Sequence, residues 1–137
     1  MPKVVKYEPA QYPSAVKNMK HITAVVLVFH PQCGHCIQLR PAWEQMKRQA
    51  PPQARFVEIN GEQMSENSDL SQSDIGRKTE GFPSIMRVKN GHVVEQFNQE
   101  RTVPNMVNFV RKSMQDIKQK TAHRKGKKVK KTRRNKH

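Results

Sequence analysis

The chain has 137 residues, enough for one domain, and its hydrophobic fraction of 34% is low, so a compact core leaves part of the chain outside it. Lys and Arg number 26 against 11 Asp and Glu, a net charge of +15; residues 121–137 hold nine of the basic residues and no acid, and removing those nine leaves +6 for residues 1–120. The first 20 residues carry no apolar run of signal-peptide length, and no stretch of about 18 apolar residues could span a bilayer, so a soluble intracellular protein of cytoplasm or nucleus is expected.

At the front, "KVVKY" predicts a short edge strand and "YPSAVKNMK" a short helix, together the N-terminal part of the domain over residues 1–20. The run "ITAVVLVF", 22–29, is short, β-branched and almost continuously apolar, which predicts a strand buried on both faces. It ends directly at "HPQCGHC". Beyond it Cys36, Leu39, Trp43 and Met46 recur at helical spacing to about residue 49, with Pro41 expected to kink the helix and "APP" at 50–52 to stop it. "ARFVEIN", 54–60, reads as a second strand, and a helix is expected over 68–78. "SIMRVKNGHVVEQF" predicts strands 84–89 and 92–97 joined by Asn90 and Gly91, a strong hairpin signal. From Val103 the residues Met106, Val107, Val110, Met114 and Ile117 keep helical spacing, with Pro104 in the first turn and Thr102 as the cap.

Two cysteines are too few for a disulfide framework, and two thiols three positions apart close too small a loop to staple a fold, so chemistry is the better reading. Cys33 and Cys36 fall where a strand hands over to a helix. There the unpaired amides and the dipole of the helix N-terminus stabilise a thiolate at Cys33, and a protonated His35 beside it adds a second favourable charge. Cys36, one turn inside, is placed to resolve a mixed disulfide. A zinc site from His30, Cys33, His35 and Cys36 is the alternative, but seven consecutive residues crossing a strand end can hardly close a tetrahedron. No metal or other cofactor is expected.

The order "CGHC", Pro41, Trp43, "GFPS" at 81–84 and the arginine after "FNQE" resembles the thioredoxin superfamily, in its protein disulfide isomerase branch, over roughly residues 20–118. The resemblance implies an α/β fold, a three-layer sandwich with a central mixed sheet of four to five strands and flanking helices, over a domain at 21–119. It implies a redox-active disulfide between Cys33 and Cys36, Pro83 as a cis-proline facing them, Arg101 swinging toward Cys36, and protein thiols or disulfides as substrates. Two positions depart from the branch. Gln32 stands where a tryptophan usually precedes the first cysteine, and Leu27 where a buried carboxylate is proposed to move protons on and off the second thiol, so Cys36 is expected to resolve slowly. His30, where the family has a small residue, reads mainly as an exposed strand-end histidine, with substitution for that acid as the alternative.

The segment 120–137 reads as a disordered basic tail, since Val129 is its only large apolar residue. Arg124, Lys125, Lys127, Lys128, Lys130, Lys131, Arg133, Arg134 and Lys136 suit nucleic acid phosphates, an acidic protein surface or a nuclear localisation signal; no aromatic is interleaved for base stacking. Two functions therefore stand side by side. The first is a small thiol-disulfide oxidoreductase. The second is a non-enzymatic component of a large assembly, such as a minor virion or capsid protein, using the same fold for packing and the tail for anchorage.

Overall fold

The computed structural model describes residues 2–115. Strand β1, Lys3–Tyr7, leads through a 3-10 turn at Pro9–Gln11 into α1, Tyr12–Met19; β2, Thr23–Phe29, leads into α2, Gly34–Gln49. Next come β3, Arg55–Asn60, a second 3-10 turn at Met64–Glu66, two short helices α3, Ser68–Ser71, and α4, Asp74–Lys78, then β4, Ser84–Lys89, and β5, His92–Gln96. A last helix, α5, occupies residues 103–115 of the described chain. The strands form one mixed sheet in the order β1-β3-β2-β4-β5, parallel among β1, β3 and β2 and antiparallel from β2 to β4 to β5. Helices cover both faces, the three-layer α/β sandwich expected from the sequence.

β2 lies in the middle and is buried along its whole length. Because side chains alternate, Val25, Leu27 and Phe29 enter one core with Leu39, Trp43 and Met46 of α2 and Met106 and Val110 of α5. Val26 and Val28 enter the other, with Tyr12 and Met19 of α1, Leu70 of α3 and Ile75 of α4. A continuous apolar run is what two such faces require. The Tyr12 hydroxyl donates to the Asn60 carbonyl at 2.5 Å and accepts from the Gln63 amide at 3.3 Å, pinning α1 to the end of β3.

The local signals are visible in the backbone. Asn90 and Gly91 adopt positive φ, 52° and 85°, as a two-residue hairpin loop demands. Thr102 caps α5 through its Oγ1, which accepts from the Asn105 amide at 3.3 Å. α2 runs on through Pro41 as one helix and ends at Gln49.

The single helix expected over 68–78 is instead two. Ser73 interrupts it: its Oγ donates to the Leu70 carbonyl at 2.5 Å and accepts from the Gly76 amide at 3.1 Å, so it closes one helix and caps the next. Gly76 allows the tight junction, because a Cβ there would lie 2.0 Å from the Leu70 carbonyl oxygen. The predicted reach of the final helix to Ile117, and the whole of 120–137, lie outside the described residues.

Candidate active site

β2 ends at Phe29 and α2 begins at Gly34, and the four residues between deliver Cys33 to the helix cap. Cys33 has extended backbone angles, φ −86° and ψ 119°, and its sulfur accepts from the Cys36 amide at 3.2 Å while its carbonyl accepts from the Ile37 amide at 3.0 Å. The first turn of α2 therefore closes around this sulfur. Cys36 lies one turn in, 6% exposed, whereas Cys33 is half-buried; both are free thiols.

The second wall comes from the loop before β4. The Phe82–Pro83 peptide is cis, and the Phe82 carbonyl accepts the Cys33 S–H at 3.4 Å. The sequence pointed to Pro83; the group that meets the sulfur is the carbonyl just before it. No residue-type signal could have announced a backbone atom.

The two thiols are held in opposite senses. Partial burial acts to raise Cys33, but hydrogen bonds from the Cys36 side chain and from the Cys36 and His35 amides, with the charge of Arg101, hold it below the ordinary thiol value. Burial, then the neighbouring Cys33 sulfur, pushes Cys36 up to about 11, against a backbone hydrogen bond from His30 and the Arg101 charge. Arg101 thus acts on both sulfurs. His35 contributes through its amide, and its ring is exposed. Among the described residues no three His, Cys, Asp or Glu side chains gather as metal ligands would.

A buried carboxylate is present on the α2 side of the sheet, on a strand where the sequence reading did not look for one. Glu58 of β3, 5% exposed, sits directly across from Leu27 in the β2–β3 ladder. Its Oε2 accepts from Trp43 Nε1 at 2.8 Å and from Lys47 Nζ at 2.6 Å, and Arg40 approaches Oε1 at 3.5 Å. Burial opposes its ionisation; the hydrogen bonds of Lys47 and Trp43 and the charges of Lys47 and Arg40 outweigh that and hold it below the usual carboxylate range. An acid set amid the apolar residues of "RFVEIN" was the available signal, but its partners lie 11 to 18 positions away.

Beside the cysteines a cleft of about 230 Å³ is lined by Phe29, His30, Pro31, Cys36, Ile37 and Arg40. Ile37, 63% exposed, forms its outer lip. A larger cleft of about 780 Å³ opens on the other face, between α1 and the α3–α4 pair, and holds neither cysteine. The nine basic residues from Arg124 to Lys136 lie outside the described residues.

Residues 3–112 match the Thioredoxin family. Among curated proteins, 89 residues are 27% identical to the thioredoxin domain-containing protein 5 homolog of Drosophila melanogaster, covering 65% of this chain and 21% of that protein. A further match, 29% identical over 98 residues, is to protein disulfide isomerase-like 1-1 of Arabidopsis thaliana, covering 68% of this chain and 19% of that one. The chain thus spans about a fifth of the length of these relatives. Among solved structures, thioredoxin F from spinach chloroplast superposes with a TM-score of 0.58 at 18% identity, covering 82% of this chain and 94% of that one. Matched from β1 into α5, with the mixed sheet and flanking helices in place, this chain belongs to the thioredoxin family.

Proposed function

We propose that the protein is a thiol-disulfide oxidoreductase acting on protein thiols and disulfides through Cys33 and Cys36. The observation that carries this reading is the asymmetry of the pair: a half-exposed thiol with lowered pKa at the cap of α2, and a buried thiol with raised pKa one turn inside. The first is suited to attack a substrate disulfide at neutral pH. The second stays protonated until a mixed disulfide has formed, which gives the substrate time to be held.

In the reducing direction the Cys33 thiolate attacks one sulfur of the substrate, the substrate S–S bond breaks, and one substrate thiolate leaves. Cys36 then attacks Cys33, forms the Cys33–Cys36 bond and releases the second thiol. In this reading the cis Phe82–Pro83 segment shapes the groove across which the substrate lies, and Arg101 stabilises whichever sulfur carries charge. The relatedness to protein disulfide isomerase-like proteins supports the reading, although the matched segment is only about a fifth of those proteins.

The test is reduction or isomerisation of a disulfide-bonded protein by purified wild type and by Cys33→Ser and Cys36→Ser variants. Cys33→Ser should be inactive, and Cys36→Ser should stall as a mixed disulfide. Equal rates in wild type and Cys33→Ser would reject the function.

A further inference from the structure

The exchange step leaves one proton to be placed. Cys36 must lose it before its sulfur can attack, yet burial raises this thiol to about 11, so near neutral pH almost none of it is ionised. Of the side chains that share its cleft, Phe29, Pro31 and Ile37 cannot ionise, and Arg40 cannot give up its charge. Among the described residues no carboxylate lines the cleft. Glu58 is a poor acceptor, because Lys47, Trp43 and Arg40 occupy its lone pairs and favour its anion. His30 remains.

We propose that His30 is the proton carrier of the site, taking the proton of Cys36 as that thiol attacks the mixed disulfide and returning it to the departing substrate thiolate. The inference rests on the thiol exchange proposed above. The backbone of His30 touches both cysteines: its carbonyl accepts from the Cys33 amide at 3.1 Å, and its main chain hydrogen-bonds Cys36. Its Nδ1 accepts from the Gln32 amide at 3.1 Å, so Nδ1 is the unprotonated nitrogen, held by one exposed neutral donor where Glu58 is held by two cations and an indole. The ring also stands against Phe82, centroids 5.6 Å apart and tilted 56°, the same residue whose carbonyl meets Cys33. The exposed Gln32 amide can pass to water when Nδ1 takes a proton. The charged side chain in the cleft with His30 is Arg40, which is paired with Glu44 and Glu58, and the charge of Arg101 reaches both sulfurs. The Arg101 charge favours the Cys36 thiolate left behind.

The step balances. The Cys36 proton moves to the imidazole, and the sulfur pair so freed forms the Cys33–Cys36 bond. The bond between Cys33 and the substrate breaks, its electron pair leaves on the substrate sulfur, and that sulfur takes the proton from the imidazolium. The protein dithiol is oxidised and the substrate disulfide is reduced.

The experiment is stopped-flow reaction of the reduced full-length protein with 5,5′-dithiobis(2-nitrobenzoate), in which attack by Cys33 and then by Cys36 each releases one thionitrobenzoate. His30→Gln and His30→Ala should leave the first phase unchanged and slow the second roughly tenfold or more at about pH 7. The deficit should shrink as pH rises toward the ionisation of Cys36, and added imidazole should restore the second phase in His30→Ala. An undiminished second phase in both variants would overturn the role, as would a slowing of the same factor at every pH, which marks a merely structural effect. So would loss of the second phase in Glu58→Gln with its retention in His30→Gln. If the wild type shows no first phase faster than a free thiol, it is the oxidoreductase reading that falls.

Discussion

Cys33 and Cys36 are three positions apart, yet their surroundings invert their chemistry. Hydrogen bonds and the Arg101 charge favour the anion of one, while burial opposes the anion of the other. Alkylation by iodoacetamide against pH, read by mass spectrometry, should therefore show Cys33 reacting half-maximally below the ordinary thiol value and Cys36 only toward about 11. Coincident profiles would contradict this. Since Arg101 lowers both, Arg101→Met should move both midpoints upward; an unmoved pair would show that its charge is screened at the sulfurs. Part of this site was legible in the sequence: two thiols three positions apart where a strand meets a helix mark themselves, and Pro83 entered through the family resemblance, but burial and the charge of Arg101 act only once the chain is folded. The Phe82 carbonyl was not legible, being backbone; His30 was named in the sequence as a substitute for the missing acid, but that its main chain meets both cysteines could not be read there. Leu27 was read as the absence of a buried acid, and that residue does lie in the core. A buried acid, Glu58, stands opposite it on the neighbouring strand.

That buried acid also joins secondary-structure elements. Glu58 ties β3 to α2 through Lys47, Trp43 and Arg40, and α2 carries both cysteines, so the ion-pair cluster fixes the helix that holds the thiols. Lys47 is 12% exposed and Arg40 37%, so the contact with Lys47 should dominate and the one with Arg40 should be weakened by solvent. Glu58→Gln is expected to cost about 2 kcal/mol near neutral pH, or a fall in Tm of roughly 10 °C. The folded-state pKa of Glu58 is depressed, so its ionised form stabilises the fold above the unfolded carboxylate pKa of about 4.3 and this contribution vanishes as pH falls through the folded value. Wild type and Glu58→Gln should thus converge in Tm in acid; a gap independent of pH would mean that lost packing, not charge, is responsible. The junction of α3 and α4 offers a second case. One helix was expected there; Leu70 and Ile75 do face the same core, but the sequence does not show that Ser73 hydrogen-bonds across a break between them. Gly76→Ala would set a methyl group against the Leu70 carbonyl, a collision of backbone that cannot be relieved by rotating a side chain, and should destabilise by about 2–4 kcal/mol in urea titration.

Over the whole molecule the sequence divides its physics between two regions. Residues 3–112 carry the family match and the two cores on either side of one sheet, and their fold followed from periodicities that the strands and helices kept. Residues 121–137 carry nine of the net positive charges and no acid, so they leave the redox reading untouched and add a separate, electrostatic property. If those charges engage phosphate, each neutralised contact releases a counterion, and the logarithm of the binding constant falls with the logarithm of salt in proportion to their number. The full chain, at +15, should bind duplex DNA with a steep salt slope, while a chain ending at residue 120, at +6, should bind more weakly and with a slope smaller by several units. Fluorescence anisotropy across a salt series separates the two. Matching slopes would place the contact on the body of the domain and leave the basic segment without a role in nucleic acid binding. A steep slope lost on truncation, with thionitrobenzoate release unchanged, would show anchorage and thiol exchange to be independent properties of one short chain.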